Sequence, residues 1–343
     1  SYCKKCNKPL DKWDVRNVIN FDGIFYSCCK FNQSLNYWNL EKAANIDNMF
    51  DTCTEFNQPL YKWNVSNVFS MCGIFYKCKK INQPLDKWDV SNVKHMESMF
   101  KGCENFNKPL DSWNVKNVEN MQYMFESCIN FNQPLNSWNL EKLEAMDSMF
   151  VNCEKFNQPL DKWRFPNCIA LVCVFYNCKN FNQNLDSWDV SNIETMEGIF
   201  SHCENFNQSL NSWDVSNVDN MYAVFYKCKN FNQPLNNWNM SEVDIMKEMF
   251  YECNNFNQPL DLWKVGNVKY MERLFYNCKK FNQPLNNWNV SNVTDMNSMF
   301  SYCKNFNQPL NSWDVSSVKD MDSLFESCDK FNQYINSWDV SNV

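Results

Sequence analysis

Nineteen cysteines and two histidines are the side chains with the widest chemical repertoire in this 343-residue chain. Fourteen of the cysteines recur every 25 residues, from Cys3 and Cys28 through Cys53 to Cys328. Such a column could form a ladder of disulfides, an array of metal ligands or a row of buried thiols. Cys3-x-x-Cys6 has zinc-ligand spacing and, with Cys28 and Cys29, could make a metal site or a terminal disulfide. The plainer alternative is that Cys6 replaces the Phe found there in most rows and that Cys29 is a surface substitution. His95 and His202 stand apart at variable places, and there is no glycine-rich phosphate loop or nucleophile elbow, so no enzyme and no cofactor is expected.

Amides and acids form further columns. Asn occupies one place in every repeat: Asn7, Asn32, Asn57, Asn82, Asn107, Asn132, Asn157, Asn182, Asn207, Asn232, Asn257, Asn282, Asn307 and Asn332. An amide carries donors and acceptors that can bridge the backbones of successive coils, so this column reads as a structural ladder rather than a ligand site. Seven places on, Asp14, Asn64, Asp89, Asp189, Asp214 and Asn289 alternate acid and amide. Stacked carboxylates about 5 Å apart repel, and interspersed Asn relieves this. Calcium could relieve it too, but the glycine-rich turns of calcium-binding rolls are absent. Beside them Lys12, Lys62, Lys87 and Lys162 give way to Ser187, Ser212 and Asn287. Together Lys12, Asp14, Lys62, Asn64, Lys87, Asp89, Asp189, Asp214, Asn287 and Asn289 form the candidate interaction face. The seventh repeat, "KWRFPNCIALVCVF", departs from the others, and its Arg164 and Phe165 are a candidate docking patch.

The elements that must position these columns follow from the period. The chain divides into thirteen full rows of 25 residues and an eighteen-residue fourteenth, residues 1–343, without insertion, and it reads as a single repeat domain. All 14 Trp hold one place, Trp13 to Trp338. In the row from Tyr276 to Phe300, Val293, Met296, Phe300 and Cys303 step by three or four residues, which predicts a helix of about three turns. Ser291 and Asn292 would cap it. Trp288 and Val290 alternate around Asn289 as a short strand would, and Pro284 marks the return loop. The expected fold is an α/β solenoid, one short parallel β-strand plus one helix per repeat. Strands about 4.8 Å apart against helices roughly 8–10 Å apart would bend the coil into an arc with a concave strand face. On the helical spacing, neighbouring thiols would lie beyond disulfide reach of about 4.4–6.8 Å between Cα atoms, which favours buried thiols and assembly in a reducing compartment.

The net charge of −7 is spread along the rows with no basic run, so nucleic acid is not an expected partner. There is no apolar stretch of about 18 residues and hence no transmembrane segment in this chain. It starts and stops inside the repeat pattern, as a piece of a longer protein would.

The phrase "FNQPLNNWNVSNVTDMNSMF" at 281–300 resembles the repeat of BspA-like, leucine-rich-repeat-related surface proteins, a family with mycoplasma lipoproteins, bacterial surface proteins and reading frames of large DNA viruses. The resemblance covers the whole chain. It implies a leucine-rich-repeat-like solenoid on cell or particle surfaces without a known catalytic site. The departure is Cys in the third column, where small residues such as Ala are usual in the bacterial pattern, and this points toward a large virus or a eukaryote, with the virus favoured. The function expected is a non-enzymatic scaffold for other proteins, itself included end to end, in a giant-virus particle or surface layer. The alternative is a surface adhesin recognising a host receptor or glycan through the strand face. Either places the protein at a virion or cell surface.

Overall fold

Row bonds to row at a register of 25 residues. The computed structural model describes residues 6–343, and the chain divides into two units, Ser1–Cys168 and Ile169–Val343. In the first, parallel bridges run from Asn20 to Asn45, Ser70, His95, Asn120 and Ala145; in the second, from Ala170 to Thr195, Asn220, Ile245, Tyr270, Asp295 and Asp320.

Next to each bridge the backbone divides its bonds between two directions. Phe21, Gly23, Phe25 and Ser27 donate to the carbonyls of Asn45, Asp47, Met49 and Asp51 in the next row at 2.8–3.0 Å, while Ile24, Tyr26 and Cys28 donate to Phe21, Gly23 and Phe25 within their own. Helical N–H groups would all go to the residue four before. Here alternate ones leave the row, and those that stay close four-residue turns.

The predicted helix is therefore corrected: among the described residues there is none. Residues 293–303 are a bridge followed by turns, with Ser298 at φ 54 and Tyr302 at φ 63. Positive φ is sterically costly for residues with a Cβ, and it recurs at these two places in row after row, held there by the bonds to the neighbouring row. The spacing of the rows is equally decisive. Phe50 and Phe75 lie 5.8 Å apart between ring centroids, Phe31 and Phe56 6.0 Å, and Trp63 and Trp88 6.1 Å. Packed helices need roughly 8–10 Å, so none fits.

The predicted strand is corrected as well. Trp288 and Val290 are buried and Asn289 is exposed, but the ladder runs through Asp295 instead. Trp288 N–H bonds to the Leu285 carbonyl and Val293 N–H to that of Val290, each at about 3 Å. These are turns, with Asn286-Asn287 and Ser291-Asn292 at their centres, where such residues are favoured; Ser291 and Asn292 cap no helix. The expected arc rested on the mismatch between helix and strand spacings and loses its premise.

The core consists of the residues at the turn corners. Phe281, Leu285, Trp288, Val290, Val293, Met296, Met299 and Phe300 are each at most 2% exposed. Their rings stack along the rows: Phe250 on Phe275 at 5.6 Å, and Trp263 on Trp288 at 6.2 Å. Most Trp residues also tie two rows together, as when Trp288 Nε1 donates to the Leu260 carbonyl at 2.9 Å, which satisfies the one polar atom of a buried indole; Trp38 Nε1 is an exception, buried without a partner among the described residues.

Candidate functional site

The asparagine column lies half-buried on a side of each row where loops turn. Asn82 Oδ1 accepts the main-chain N–H of Asn107 at 3.0 Å. Asn107 Oδ1 does the same for Asn132 at 3.0 Å and also takes Gln133 Nε2 at 3.0 Å. In the first unit the pattern runs from Asn7, which accepts from Asn32, to Asn132, which accepts from Asn157; in the second it runs from Asn182, which accepts from Asn207, to Asn307, which accepts from Asn332. Each side-chain oxygen thus replaces a carbonyl in joining one coil to the next.

Column-three thiols point inward. Cys103 Sγ donates to the Phe75 carbonyl at 2.9 Å and Cys278 Sγ to that of Phe250 at 2.9 Å. Burial raises these thiols well above the ordinary range, so they stay protonated and unreactive. The helical spacing that set these thiols apart is gone, and the donated hydrogen bond is what gives the column its role. Of the suggested terminal cluster, Cys3 lies outside the described residues, Cys28 is buried, and Cys6 and Cys29 are half-buried, with Cys29 Sγ toward the Ser27 carbonyl at 3.6 Å. Among the described residues no cluster of His, Cys, Asp or Glu has the makings of a metal site.

The candidate interaction face is exposed throughout. In the first unit it comprises Lys12, Asp14, Lys62, Asn64, Lys87 and Asp89, and in the second Asp189, Asp214, Asn287 and Asn289. Its acids and amides also shape the chain. Asp89 Oδ1 accepts the Ser91 N–H at 3.1 Å, Asp189 Oδ1 that of Ser191 at 3.1 Å and Asn289 Oδ1 that of Ser291 at 3.2 Å. These are side-chain-closed turns. The bond from Ser91 lowers Asp89, and the Arg16 guanidinium brings Asp14 down to about 2. Arg164 is exposed, its Nη1 donating to the Trp163 carbonyl at 2.6 Å. Phe165 is only 4% exposed: it fills the core place that Val takes elsewhere and offers nothing to a docking partner.

Two columns that sequence reasoning passed over carry as much structure as the one it chose. Gln133, Gln208 and Gln283 reach back to the Asn column. Asn92, Asn217 and Asn292 donate Nδ2 to the carbonyls of Ser66, Ser191 and Gly266 at 2.6–2.7 Å. Their recurrence at fixed places was the available signal. A third omission is a cavity of about 320 Å³ in the second unit, lined by Glu197, Ser201, His202, Tyr222 and neighbours, for which no motif exists.

Helix-free coils in 25-residue register, closed by Asn and Trp bonds between rows, are the setting for the comparison with known proteins. The family described as "Mycoplasma protein of unknown function, DUF285" matches residues 1–104, 70–184, 169–283 and 246–343. The chain belongs to this family. It is a tandem DUF285 repeat from end to end. No curated protein matches its sequence. Among solved structures, one described as a crystal structure of a TLR13-ssRNA13 complex is similar at 12% identity and a TM-score of 0.25, with 90% of this chain and 57% of that chain covered. Nothing is carried over from so slight a likeness.

Proposed function

We propose that this DUF285 chain is a non-enzymatic scaffold that holds other proteins along the exposed side of its turns. The observation that carries the reading is the division of labour within a row. Buried places keep an apolar residue in every full row, with Trp and Cys at their places without exception, whereas an exposed place such as that of Lys62 holds Lys87, Ser112, Leu262 and Ser312 in other rows. A constant coil with a changing face is how stacked repeats present a binding surface. Leu262, 63% exposed, and Tyr61, 52% exposed, are apolar members of that face. The kinship with BspA-like surface proteins, the work at a virion or cell surface, and assembly under reducing conditions belong to the same proposal. The buried protonated thiols agree with the last.

The test is proximity labelling in the source particle or cell, comparing the chain with a Lys62→Glu/Lys87→Glu variant of unchanged melting temperature. The reading expects a defined set of neighbouring proteins that the variant loses. An identical set for both chains would overturn it.

A further inference from the structure

We propose that the cavity in the second unit binds an alkylammonium group. The hollow has a local cause. At the place where Ser148, Glu248 and Arg273 stand in other rows, three successive rows carry Cys173, Gly198 and Ala223, and the small side chains leave about 320 Å³ between the flanking columns. At Gly198 a Cβ would come 3.1 Å from Cys173 Sγ, so the floor is already filled to contact.

Ser201 lines this cavity and is only 2% exposed. Its hydroxyl has no hydrogen-bond partner among the described residues. The equivalent serine four rows on, Ser301, spends its hydroxyl on the Ser323 carbonyl at 2.5 Å. The Ser201 oxygen thus opens onto the cavity as an acceptor that no donor among the described residues occupies.

The walls say what that something is. On one side the His202 ring lies 5.2 Å from both Tyr176 and Tyr226, tilted 54° and 47° to them; Tyr226 is itself stacked on Tyr251 at 4.5 Å and has Lys227 Nζ 5.3 Å from its centroid, so of the three His202 and Tyr176 are the rings left to face the cavity. Burial, with Lys227 nearby, lowers the His202 pKa and keeps the imidazole neutral at pH 7. On the other side stand two carboxylates. Glu248, 9% exposed, takes the Tyr222 hydroxyl at 3.2 Å and Arg273 Nη1 at 3.2 Å. Arg273 balances that charge. Glu197 has Asn220 Nδ2 at 3.3 Å and no cation among the described residues.

One negative charge, one hydroxyl oxygen and aromatic faces fit a single cation with N–H donors. Ammonium supplies three donors and no acceptor, and aromatic faces attract it. An anion would meet Glu197 and Glu248, and a quaternary ammonium would leave Ser201 unanswered. The ligand is a primary ammonium on an alkyl stem, either a free amine or a lysine side chain. The site stands whether or not the scaffold reading does.

The chain has two histidines, and His95 lies in the first unit. Their imidazole carbon-bound proton signals give a probe and an internal control in one spectrum. Titration with n-butylammonium chloride is expected to shift His202 saturably and leave His95 unmoved. In Glu197→Gln the affinity should fall by about tenfold or more, as loss of a charge-assisted bond implies, and Ser201→Ala should weaken it severalfold, both with the His95 signal and melting temperature unchanged. A Gly-Gly-Lys-Gly-Gly peptide binding more tightly than free 1,4-diaminobutane would identify a protein side chain as the source; the reverse would identify a small amine. Absence of a saturable His202 shift, an equal shift from sodium acetate, or undiminished binding in Glu197→Gln would each overturn the proposal.

Discussion

Cys53 donates its thiol hydrogen to the carbonyl of Phe25 in the preceding row, Sγ to O 3.1 Å, and the same carbonyl accepts the Cys28 N–H at 2.9 Å. A cysteine in this column is thus a small core residue that also completes a neighbour's backbone, which neither Ala nor Val can do. Cys103, bonded to Phe75 in the same way, is the place to measure it. Cys103→Ala should cost about 1–3 kcal/mol, the loss of a sulfur's burial plus one of the two bonds to the Phe75 carbonyl, which the Cys78 N–H still meets at 2.8 Å. Cys103→Ser, which keeps a donor, should cost less. Urea midpoints of the three chains decide the order, and Ala equal to wild type would refute the role.

Thiol reactivity should grade with burial, in the column and outside it. Burial pushes Cys168 up to about 12 and the half-buried Cys328 only to about 11. Iodoacetamide followed by peptide mass spectrometry should mark Cys328 well before Cys103 or Cys278, because the thiolate is the reactive form.

Removing Asn107 deprives both the Asn132 N–H and the Gln133 amide of their acceptor. Asn107→Ala should cost about 1–3 kcal/mol, the penalty for stranding half-buried donors, and Asn107→Asp, which keeps an oxygen there, should cost less. Equal losses would show that the side-chain oxygen is not what joins the rows.

Asp295 sits on the parallel ladder where other rows carry Asn20, Asn45, Asn120 and Asn220. Burial first, and then the nearby Glu272 and Asp320, raise its pKa, while the Asn297 N–H opposes them. With the folded pKa above the unfolded one, the folded state holds the proton more tightly. Stability is therefore lost as pH climbs from the unfolded value of about 4 through the folded one, and stays lost above it. Asp295→Asn keeps the acceptor for Asn297 at 2.9 Å and removes the charge. It should stabilise the chain at pH 7 and make no difference below pH 4. Melting curves at the two pH values test this.

Gly73, at φ 57, faces Asn48 Oδ1, which a Cβ would meet at 2.6 Å. Gly73→Ala should cost about 1–2 kcal/mol, the steric price of that φ for an L-residue with the clash added. Glycine in place of Ser98, at φ 54, should be neutral or stabilising, because relief of that φ offsets glycine's extra entropy of roughly 0.5–1 kcal/mol. Chemical denaturation of both variants measures the contrast.

The rows, their register and nearly all the buried residues were legible in the sequence, because a 25-residue repeat with fixed Trp, Phe and Cys places leaves little freedom. The helix was not. Leu285 to Trp288 and Val290 to Val293 are four-residue turns, and a turn whose two ends both face inward places apolar residues three apart, as a helix does. The clue lay in the glycines. Gly23, Gly73 and Gly198 share one column and Gly102 stands in another, the two columns where φ is positive. That marked a backbone unable to continue as a helix. The Asn column was legible because every row repeats it, and so were the Gln and Asn columns that went unread. The cavity beside His202 was not legible: it depends on three small residues in adjacent rows and on a hydroxyl whose lack of a partner only coordinates reveal.

The measurement that tests the helix-free coil most directly is the set of backbone carbon chemical shifts of residues 293–303, obtained by NMR on the labelled chain. The account predicts extended values at Asp295, left-handed values at Ser298 and Tyr302, and no continuous helical run between them. An unbroken run of helical shifts from Val293 to Cys303 would contradict it.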